Sequence, residues 1–501
     1  MLTKGQMMFA KNDSTKAKTT PSYLLEEFSE ALWNQLVEIY PFSDKVAKCL
    51  SNLKRELLKK MPKTDLHVHG EAGFLIDETL ARDLADRSNT PFPEEILGQD
   101  ALWLYRGKDN FLQFIMDFLK ISKLIRSPQD VEDVAYDFYK NCYENNVIYA
   151  LPGISWFQCK DQMTFSEFNG AYHRALARGM KDFGAVALMQ LRYYLERHLK
   201  EEDFEMVYQE LMKHPQGLIT TIGLAGAEEG HPLSDFESYY QAIKEKRIQS
   251  NEPWFFLTAH MEKFSDSKTI VDSLKWLDWI AHGRRLAEDE NAMEAVKKSG
   301  AMLELCPLSD VSVYPNEFPE LQDHNQLKKL LEKGLVSLNS DDPSMFGTID
   351  KVYQQVFEQL DASFTSLLQC TWRGINPAAP LALEEMKKYQ KEAYENYEEI
   401  KDCGDLKIQF FQAYWNLLPL LSNLDENLAK NLIKIDLKTS FQDLKHLKDE
   451  LPKNSEAHNS LKELLKLKKA IDNATAAILK KMEKSVEQVL FFNPNPDLKL
   501  I

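Results

Sequence analysis

The feature that most constrains the fold of this sequence is a series of eight short apolar runs separated by stretches of helical character. The runs cover residues 65–69, 147–151, 185–192, 218–224, 254–260, 278–282, 301–305 and 335–340. Strands that alternate with helices pair in parallel, and eight such units in roughly 280 residues fit a closed (β/α)₈ barrel. An open doubly wound sheet is the alternative, but no run is followed by the GxGxxG pattern of dinucleotide-binding sheets.

The rest of the chain surrounds this predicted α/β barrel, which we place at residues 61–420. Residues 1–60 form an N-terminal tail and helical extension, and residues 421–501 form a C-terminal helical extension. The long, aromatic-rich segment 70–146 follows the first strand, so we expect a helical cap on the catalytic face. Apolar residues at helical spacing predict one amphipathic helix over 455–490, packed on the barrel or against a second copy of the chain.

Composition restricts the class of partner and the compartment. The chain carries 77 acidic against 61 basic residues, a net charge of −16, which argues against binding nucleic acid or an anionic membrane. Its six cysteines include no CxxC pair, which suits reduced thiols. The first 21 residues lack the apolar core of a secretion signal, and no stretch of about 18 apolar residues occurs. We therefore expect a cytoplasmic protein.

Four of the apolar runs end in histidine or aspartate. The first contains His67 and His69, which point to the same side of a strand because side chains alternate between faces. The fifth ends at His260, the sixth at His282, and the eighth is followed by the pair 341–342, both aspartates. Each could alone be a buried structural histidine or a helix-capping aspartate, but four such endings together predict a site at one end of the barrel.

Imidazoles and a carboxylate of this kind are typical ligands of catalytic zinc, which keeps one position open for water. Zinc lowers the pKa of that water to about 7 and supplies hydroxide at neutral pH. The fourth run (LITTIGL) ends without the lysine that bridges two metals in binuclear barrel hydrolases, so we favour one ion. The zinc deaminases that use HxE with PCxxC are excluded, because the chain has no PCxxC.

Several segments resemble the adenosine deaminase family in order and spacing from about residue 61 to 350. MPKTDLHVHGE resembles the opening PKxxLHxHL[DE]G, and IGLAGAE resembles DLAGxE. IAHGRRLAED is similar to IGHGxxLxxD, and LELCPLS to xExCPxS. SLNSDDPSMF is close to SLNTDDPxxF, the most specific of these motifs.

The resemblance implies a role for each matching residue. It assigns the metal to four ligands, His67, His69, His260 and Asp341, the last of which would also act in catalysis. His282 would hold the attacking hydroxide and help to move its proton. Five further positions would contact a purine nucleoside: Asp342 the N7 side, Gly226 the N3 side through its backbone, Glu71 the ribose 5′-hydroxyl, and Phe111 and Leu112 the roof of the pocket.

Three departures from the family pattern bear on the general acid and the substrate. The family has HAGE after the metal histidine, with its Glu protonating the purine N1, whereas this chain has His260-Met261-Glu262-Lys263. Glu262 becomes the general acid if the loop shifts by one residue; otherwise Lys263 occupies the position. The second-strand motif [YF]xExR is YALPG at 149–153, and HL[DE]G is HGEA at 69–72.

Three functional hypotheses follow. The leading one is hydrolytic deamination of a 6-aminopurine nucleoside, adenosine to inosine plus ammonia, or of a close analogue, with no nucleic-acid or membrane partner. The second is a barrel hydrolase of the same superfamily that acts on another amine or amide. The third is a zinc-binding interaction protein without activity, although His282 and Asp342 argue against it because neither is needed to hold the metal.

Overall fold

The computed structural model describes most of the chain after its first 54 residues. The described residues are 55–98, 102–103, 111–184, 187–213, 217–249, 253–262, 264–318, 320–424 and 426–492. The tail and most of the N-terminal extension predicted for residues 1–60 lie outside them, as does Lys263, whereas 55–60 are helical.

Ten parallel strand segments form the centre of the molecule. They are β1 (Lys63–His69), β2 (Val147–Ile154), β3 (Leu188–Met189), β4 (Leu191–Glu196), β5 (Ile219–Ala225), β6 (Phe256–Leu257), β7 (His260–Met261), β8 (Ile280–His282), β9 (Leu303–Leu305) and β10 (Val336–Leu338). They occupy the eight predicted runs, because β3 with β4, and β6 with β7, are two halves of one interrupted strand. Strands buried on both faces read as continuous apolar segments, which explains the pattern of the sequence.

The strands lie in two sheets that meet at both edges. One sheet has the order β1-β2-β4-β5-β6, with β3 on β2, and the other has the order β10-β9-β8-β7. Asp341, just after β10, forms a parallel bridge with Val68 of β1, and its amide donates to the His67 carbonyl over 2.9 Å. At the other edge, the Ala281 amide of β8 donates to the carbonyl of Ala259, between β6 and β7, over 3.1 Å. The predicted (β/α)₈ barrel is thereby confirmed.

Helices surround this barrel. They are α1 (Glu78–Ser88), α2 (Phe111–Ser122), α3 (Pro128–Glu144), α4 (Phe165–Phe183), α5 (Glu201–Lys213), α6 (Glu237–Arg247), α7 (Ser267–Ser273), α8 (Glu290–Ser299), α9 (Pro307–Val313), α10 (Asn325–Glu332), α11 (Pro343–Phe346), α12 (Ile349–Leu360), α13 (Phe364–Ile375), α14 (Pro380–Tyr389), α15 (Lys391–Leu417), α16 (Glu426–Ile433), α17 (Phe441–Glu450) and α18 (Glu456–Phe492). Short 3₁₀ turns lie at Glu71–Phe74, Glu94–Ile96, Trp156–Cys159, Leu233–Phe236, Arg284–Glu288, Leu321–Asp323 and Leu418–Asn423. Local sequence sets several starts: Ser127 and Thr164 form reciprocal capping boxes at α3 and α4.

The third strand differs from its prediction. The apolar run at 185–192 predicts a strand that ends near Arg192, but β4 continues to Glu196. Arg192 and Glu196 are charged residues that interrupt the apolar pattern, so the sequence predicts an earlier end of the strand. In the structure Arg192 is instead buried in an ion pair, which allows a charged side chain inside the barrel.

The cap and the C-terminal helices also match the predicted organisation. Helices α1 to α3 lie between β1 and β2, and the ring of Phe74 stacks on that of Phe138 in α3 with centroids 4.2 Å apart. Helix α18 covers the helix predicted at 455–490 and packs on α15, α4 and α17. Its buried face contains the predicted apolar residues Leu464, Ile471, Ile478, Met482 and Val489.

Two further predictions concern thiols and membranes. The cysteines within the described ranges are free and buried: Cys142, Cys159, Cys306, Cys370 and Cys403. Among the described helices, none has both the length and the apolar character required to cross a bilayer.

Candidate active site

Four polar side chains converge at the carboxyl ends of the barrel strands. His67 and His69 come from β1, His260 from β7, and Asp341 from the loop after β10. Nε2 of His69 lies 3.1 Å from Nε2 of His260 and 3.3 Å from Oδ1 of Asp341. Nε2 of His67 is 3.8 Å from the same carboxylate oxygen. The structure therefore brings together residues that are separated by up to 274 positions in the sequence.

Hydrogen bonds orient two of the imidazoles toward this centre. Nδ1 of His67 lies 3.1 Å from Oε2 of Glu304, and Nδ1 of His260 lies 2.9 Å from the carbonyl of Leu224. Because these acceptors hold the proton on Nδ1, Nε2 of each ring is left as a lone-pair donor. Nε2 of His67 is buried and has no hydrogen-bond partner among the described residues.

Burial keeps the imidazoles neutral. It lowers the pKa of His67 and His260 well below the usual value, and neighbouring histidines add to the effect. Burial also lowers the pKa of His69, to about 3. The carboxyl of Asp341 has its pKa raised to about 6, mainly by burial. Three neutral imidazoles with facing lone pairs, beside one carboxylate, form a donor set that fits a divalent metal ion.

Three residues around this centre have left-handed backbone conformations that side chains seldom adopt. The φ angles are +50° at Glu71, +57° at His282 and +62° at Asp341. Such conformations cost roughly 1–3 kcal/mol each and persist where the surrounding structure imposes them, commonly at functional sites. They occur here just beyond β1, at the end of β8 and beyond β10, where the strands deliver their side chains to the centre.

His282 and Glu262 lie beside the four candidate ligands. Nε2 of His282 is 3.7 Å from Oε1 of Glu262 and 4.0 Å from Oδ2 of Asp341. Glu262 is 9% exposed, and its Oε2 accepts a hydrogen bond of 2.7 Å from the Tyr314 hydroxyl. The structure thus brings Glu262 to the centre, whereas its competitor, Lys263, lies outside the described residues.

The candidate substrate residues fall into two groups. Asp342 and Glu71 are buried carboxyl groups near the centre, and burial is the largest cause that raises their pKa values, to about 8 for Glu71. Oδ1 of Asp342 has no hydrogen-bond partner among the described residues, whereas Oε1 of Glu71 accepts from the Tyr172 hydroxyl over 2.7 Å. Gly226, with a φ of +95°, follows β5 directly. It can therefore offer only its backbone.

The two predicted roof residues differ in exposure. Both begin α2, in the cap. Phe111 is partly buried against the core, with its ring centroid 5.8 Å from that of Phe114, whereas Leu112 is 69% exposed. The structure therefore brings Phe111, but not Leu112, into the buried cluster of the cap.

Supporting residues of this centre were not singled out from the sequence. Glu304 accepts from His67, from Nη1 of Arg192 over 2.9 Å and from the Trp279 indole over 2.6 Å, and all four side chains are buried. The available signal was a charged residue inside an apolar run, as in AMLEL and ALMQLR, because a buried charge requires a partner. Tyr314, in the loop after α9, carried no comparable signal.

Comparisons with known proteins agree on one family. The model of the family described as Adenosine deaminase matches residues 62–388. An adenine deaminase from Wolinella succinogenes is 27% identical over 318 residues, which cover 62% of this chain and 90% of that protein.

Two solved structures share the fold at low identity. One is an amidohydrolase from Burkholderia ambifaria with bound Zn, at a TM-score of 0.55 and 15% identity, covering 72% of this chain and 96% of that one. The other is an Arabidopsis N6-mAMP deaminase, at a TM-score of 0.52 and 17% identity, covering 69% of this chain and 99% of that one.

Proposed function

The chain belongs to the adenosine deaminase family, and we propose that it is a zinc-dependent enzyme that deaminates a 6-aminopurine nucleoside, either adenosine or a close analogue. As a member of this family it is a hydrolase that acts on carbon–nitrogen bonds of cyclic amidines. The observation that carries the proposal is the convergence of His67, His69, His260 and Asp341 with two further titratable side chains, His282 and Glu262, beside them.

The four converging donors would hold one zinc ion. Their fit rests on the lone pairs that His67, His69 and His260 direct at one another and on the adjacent carboxylate of Asp341. When bound, zinc lowers the pKa of water to about 7 and so supplies a nucleophile for the carbon that bears the amine. Asp341 would both bind the ion and accept a hydrogen bond from the attacking water.

His282 would move the proton of the attacking water. Its ring lies between the carboxylates of Asp341 and Glu262, with Nε2 4.0 Å and 3.7 Å from their nearest oxygens. A side chain in that place can accept a proton on the metal side of the pocket and pass it toward the leaving amine. Its backbone has a φ of +57°, a conformation that persists where the surrounding structure imposes it.

Glu262 would act as the general acid at ring nitrogen N1. The hydrogen bond from Tyr314 occupies Oε2 and leaves Oε1 on the side of His282. The remaining contacts would follow the family pattern: Asp342 at N7, Gly226 at N3 through its amide, Glu71 at the ribose 5′-hydroxyl, and Phe111 and Leu112 above the ring. Asp342 would bind N7 as the neutral acid, which agrees with its raised pKa.

A panel of substrates tests this proposal. Release of ammonia would be measured with adenosine, adenine, AMP and an aminopteridine, and release of methylamine with N6-methyladenosine, on protein as purified, after chelator treatment, and after zinc is added back. We expect release from adenosine or a close aminopurine, loss with the chelator and recovery with zinc. Release only from a non-purine amine would favour the second hypothesis, and zinc binding with no release from any substrate would favour the third.

A further inference from the structure

The ring of Tyr194 fills a slot between two glycines on neighbouring strands. Tyr194 lies on β4, Gly153 on β2 and Gly223 on β5, where Gly223 is the register partner of Tyr194. A Cβ atom at Gly223 would lie 2.6 Å from Cε1 of the ring, and one at Gly153 would collide with the opposite edge. Only glycine at both positions leaves room for the ring.

This slot coincides with a departure from the family pattern. Gly153 is the last residue of YALPG, where the motif [YF]xExR has arginine. A guanidinium reaches the slot from Arg192 instead, two residues before Tyr194 on the same face of β4. Nη1 of Arg192 donates to the Tyr194 hydroxyl over 3.0 Å and to Glu304 over 2.9 Å.

One face of the Tyr194 ring stacks on His69. The ring centroids are 4.7 Å apart and the planes are inclined by 18°. The same ring meets His260 edge-on, with centroids 5.3 Å apart and planes at 60°. Within the described parts of the chain, His67 and His260 each have a hydrogen-bond acceptor at Nδ1, but none is found for His69. Of the aromatic contacts of His69 within the described residues, the stack on Tyr194 has the shortest centroid distance and the smallest angle between planes.

We propose that Tyr194 is a positioning residue for His69. Glycine backbones flank the ring on two sides, so the ring stays in the slot and the imidazole stacked on it directs Nε2 toward His260 and Asp341. Arg192 and Glu304 connect the same ring to His67, so that one buried network orients two of the three imidazoles. This inference rests on the metal site of the proposed function.

Metal affinity tests the proposal without reference to catalysis. Zinc affinity would be measured by competition with a chromophoric chelator, and the site geometry by the visible spectrum of the Co²⁺-loaded protein. Tyr194→Leu removes the aromatic face, and Tyr194→Met does so while filling the slot with a flexible side chain. We expect each to weaken zinc binding by roughly 10–100-fold, the usual effect of losing an outer contact of a metal ligand, and to change the Co²⁺ spectrum.

Two controls separate positioning from general stability. Tyr193→Leu removes an equally buried tyrosine from the other face of the same strand, where its hydroxyl accepts from the Trp156 amide over 3.2 Å. It should lower the unfolding temperature but leave zinc affinity unchanged. Tyr194→Phe keeps the ring and should bind zinc within a few-fold of the unmodified protein.

The outcomes distinguish a failure of this proposal from a failure of the proposed metal site. If the unmodified protein binds no zinc, the proposed metal site is wrong. If it binds zinc and the Leu and Met variants at 194 bind equally well, or if Tyr193→Leu weakens binding as much as they do, the positioning role is wrong. Should Leu and Met prevent folding, Gly223→Ala decides instead, because its Cβ would lie 2.6 Å from Cε1 of the ring and displace it: weakened zinc binding would support the positioning role, and unchanged binding would overturn it.

Discussion

Glu262 is the proposed general acid, and the proposed reaction depends on its carboxyl group. The general acid of a purine deaminase must reach a ring nitrogen, and among the described residues near His260 the carboxyl of Glu262 lies beside His282. We expect Glu262→Gln to lower kcat by roughly 10²–10⁴-fold, because a positioned general acid contributes about that much. Steady-state ammonia release checks the value, with zinc content measured on the same sample.

Lys263→Gln is the matched control for that substitution. It changes the neighbouring side chain to the same amide and should alter kcat by far less, since the proton donor remains in place. The reverse ranking, with the larger loss at Lys263, would contradict the assignment and favour an amine or amide substrate other than an aminopurine.

At the level of single residues, the sequence predicts the candidate metal ligands better than the side chains that orient them. His67 and His69 could be identified because strand alternation fixes their common face, whereas their neighbours could not. Glu304 reaches His67 from a strand 237 residues away, and Arg192 reaches Glu304 across 112 residues. Such contacts depend on how the barrel closes, which local patterns do not determine.

Among the elements, strand ends are less predictable than strand existence. All eight runs contain strands, but β4 extends past its predicted end to Glu196 because its polar residues find partners inside the barrel. Helix α18 was predictable over nearly its whole length, since its buried residues repeat at helical spacing. Its contacts with α15, α4 and α17 were not predictable, because amphipathicity identifies the buried face of a helix but not the element that packs on it.

One buried histidine, His173, connects α4 to the segment before β5 and predicts a pH dependence of stability. In α4, Nδ1 of His173 donates to the Asn169 carbonyl over 2.7 Å, and Nε2 accepts from the Leu218 amide before β5 over 3.0 Å. The contact at Nε2 requires the neutral ring, because a protonated Nε2 cannot accept, and a Cβ at Gly217 would meet both His173 and Val489 of α18. Burial lowers the pKa of His173 to about 4.

The lowered pKa of His173 determines whether stability rises or falls with pH. The unfolded chain takes up a proton at a pKa near 6.5, whereas the folded protein resists until about 4. The contribution of His173 to the free energy of unfolding is therefore complete above pH 6.5 and is lost as the pH falls toward 4. The loss is about 3 kcal/mol across that window.

Urea midpoints measured above this pH window and near its lower end test this contribution. The fall in midpoint between neutral pH and a pH near 4.5 should become smaller in His173→Gln, which cannot titrate. His446→Gln removes an exposed histidine of α17, which lies 3.1 Å from Glu450, and should leave the fall unchanged. Equal pH dependence in the unmodified protein and His173→Gln would contradict the argument.

For the whole molecule, the closed barrel explains why distant residues form one site. Parallel strands present all their carboxyl ends at one edge, so residues 67, 69, 260, 282 and 341 meet although the sequence separates them widely. The cap follows β1 at that edge, and the helices after residue 388 lie outside the family match. The sequence predicted this architecture from the number of runs and the absence of a dinucleotide motif.

The central claim, that a metal held by these residues drives deamination, is tested most directly by measuring zinc content and ammonia release together as a chelator removes the metal. We predict that release from the best aminopurine falls in proportion to zinc, reaches zero in zinc-free protein and returns when about one ion per chain is restored. The variants His67→Ala and Asp341→Ala should contain no zinc and release no ammonia. Undiminished release from zinc-free protein, or from either variant, would contradict the account.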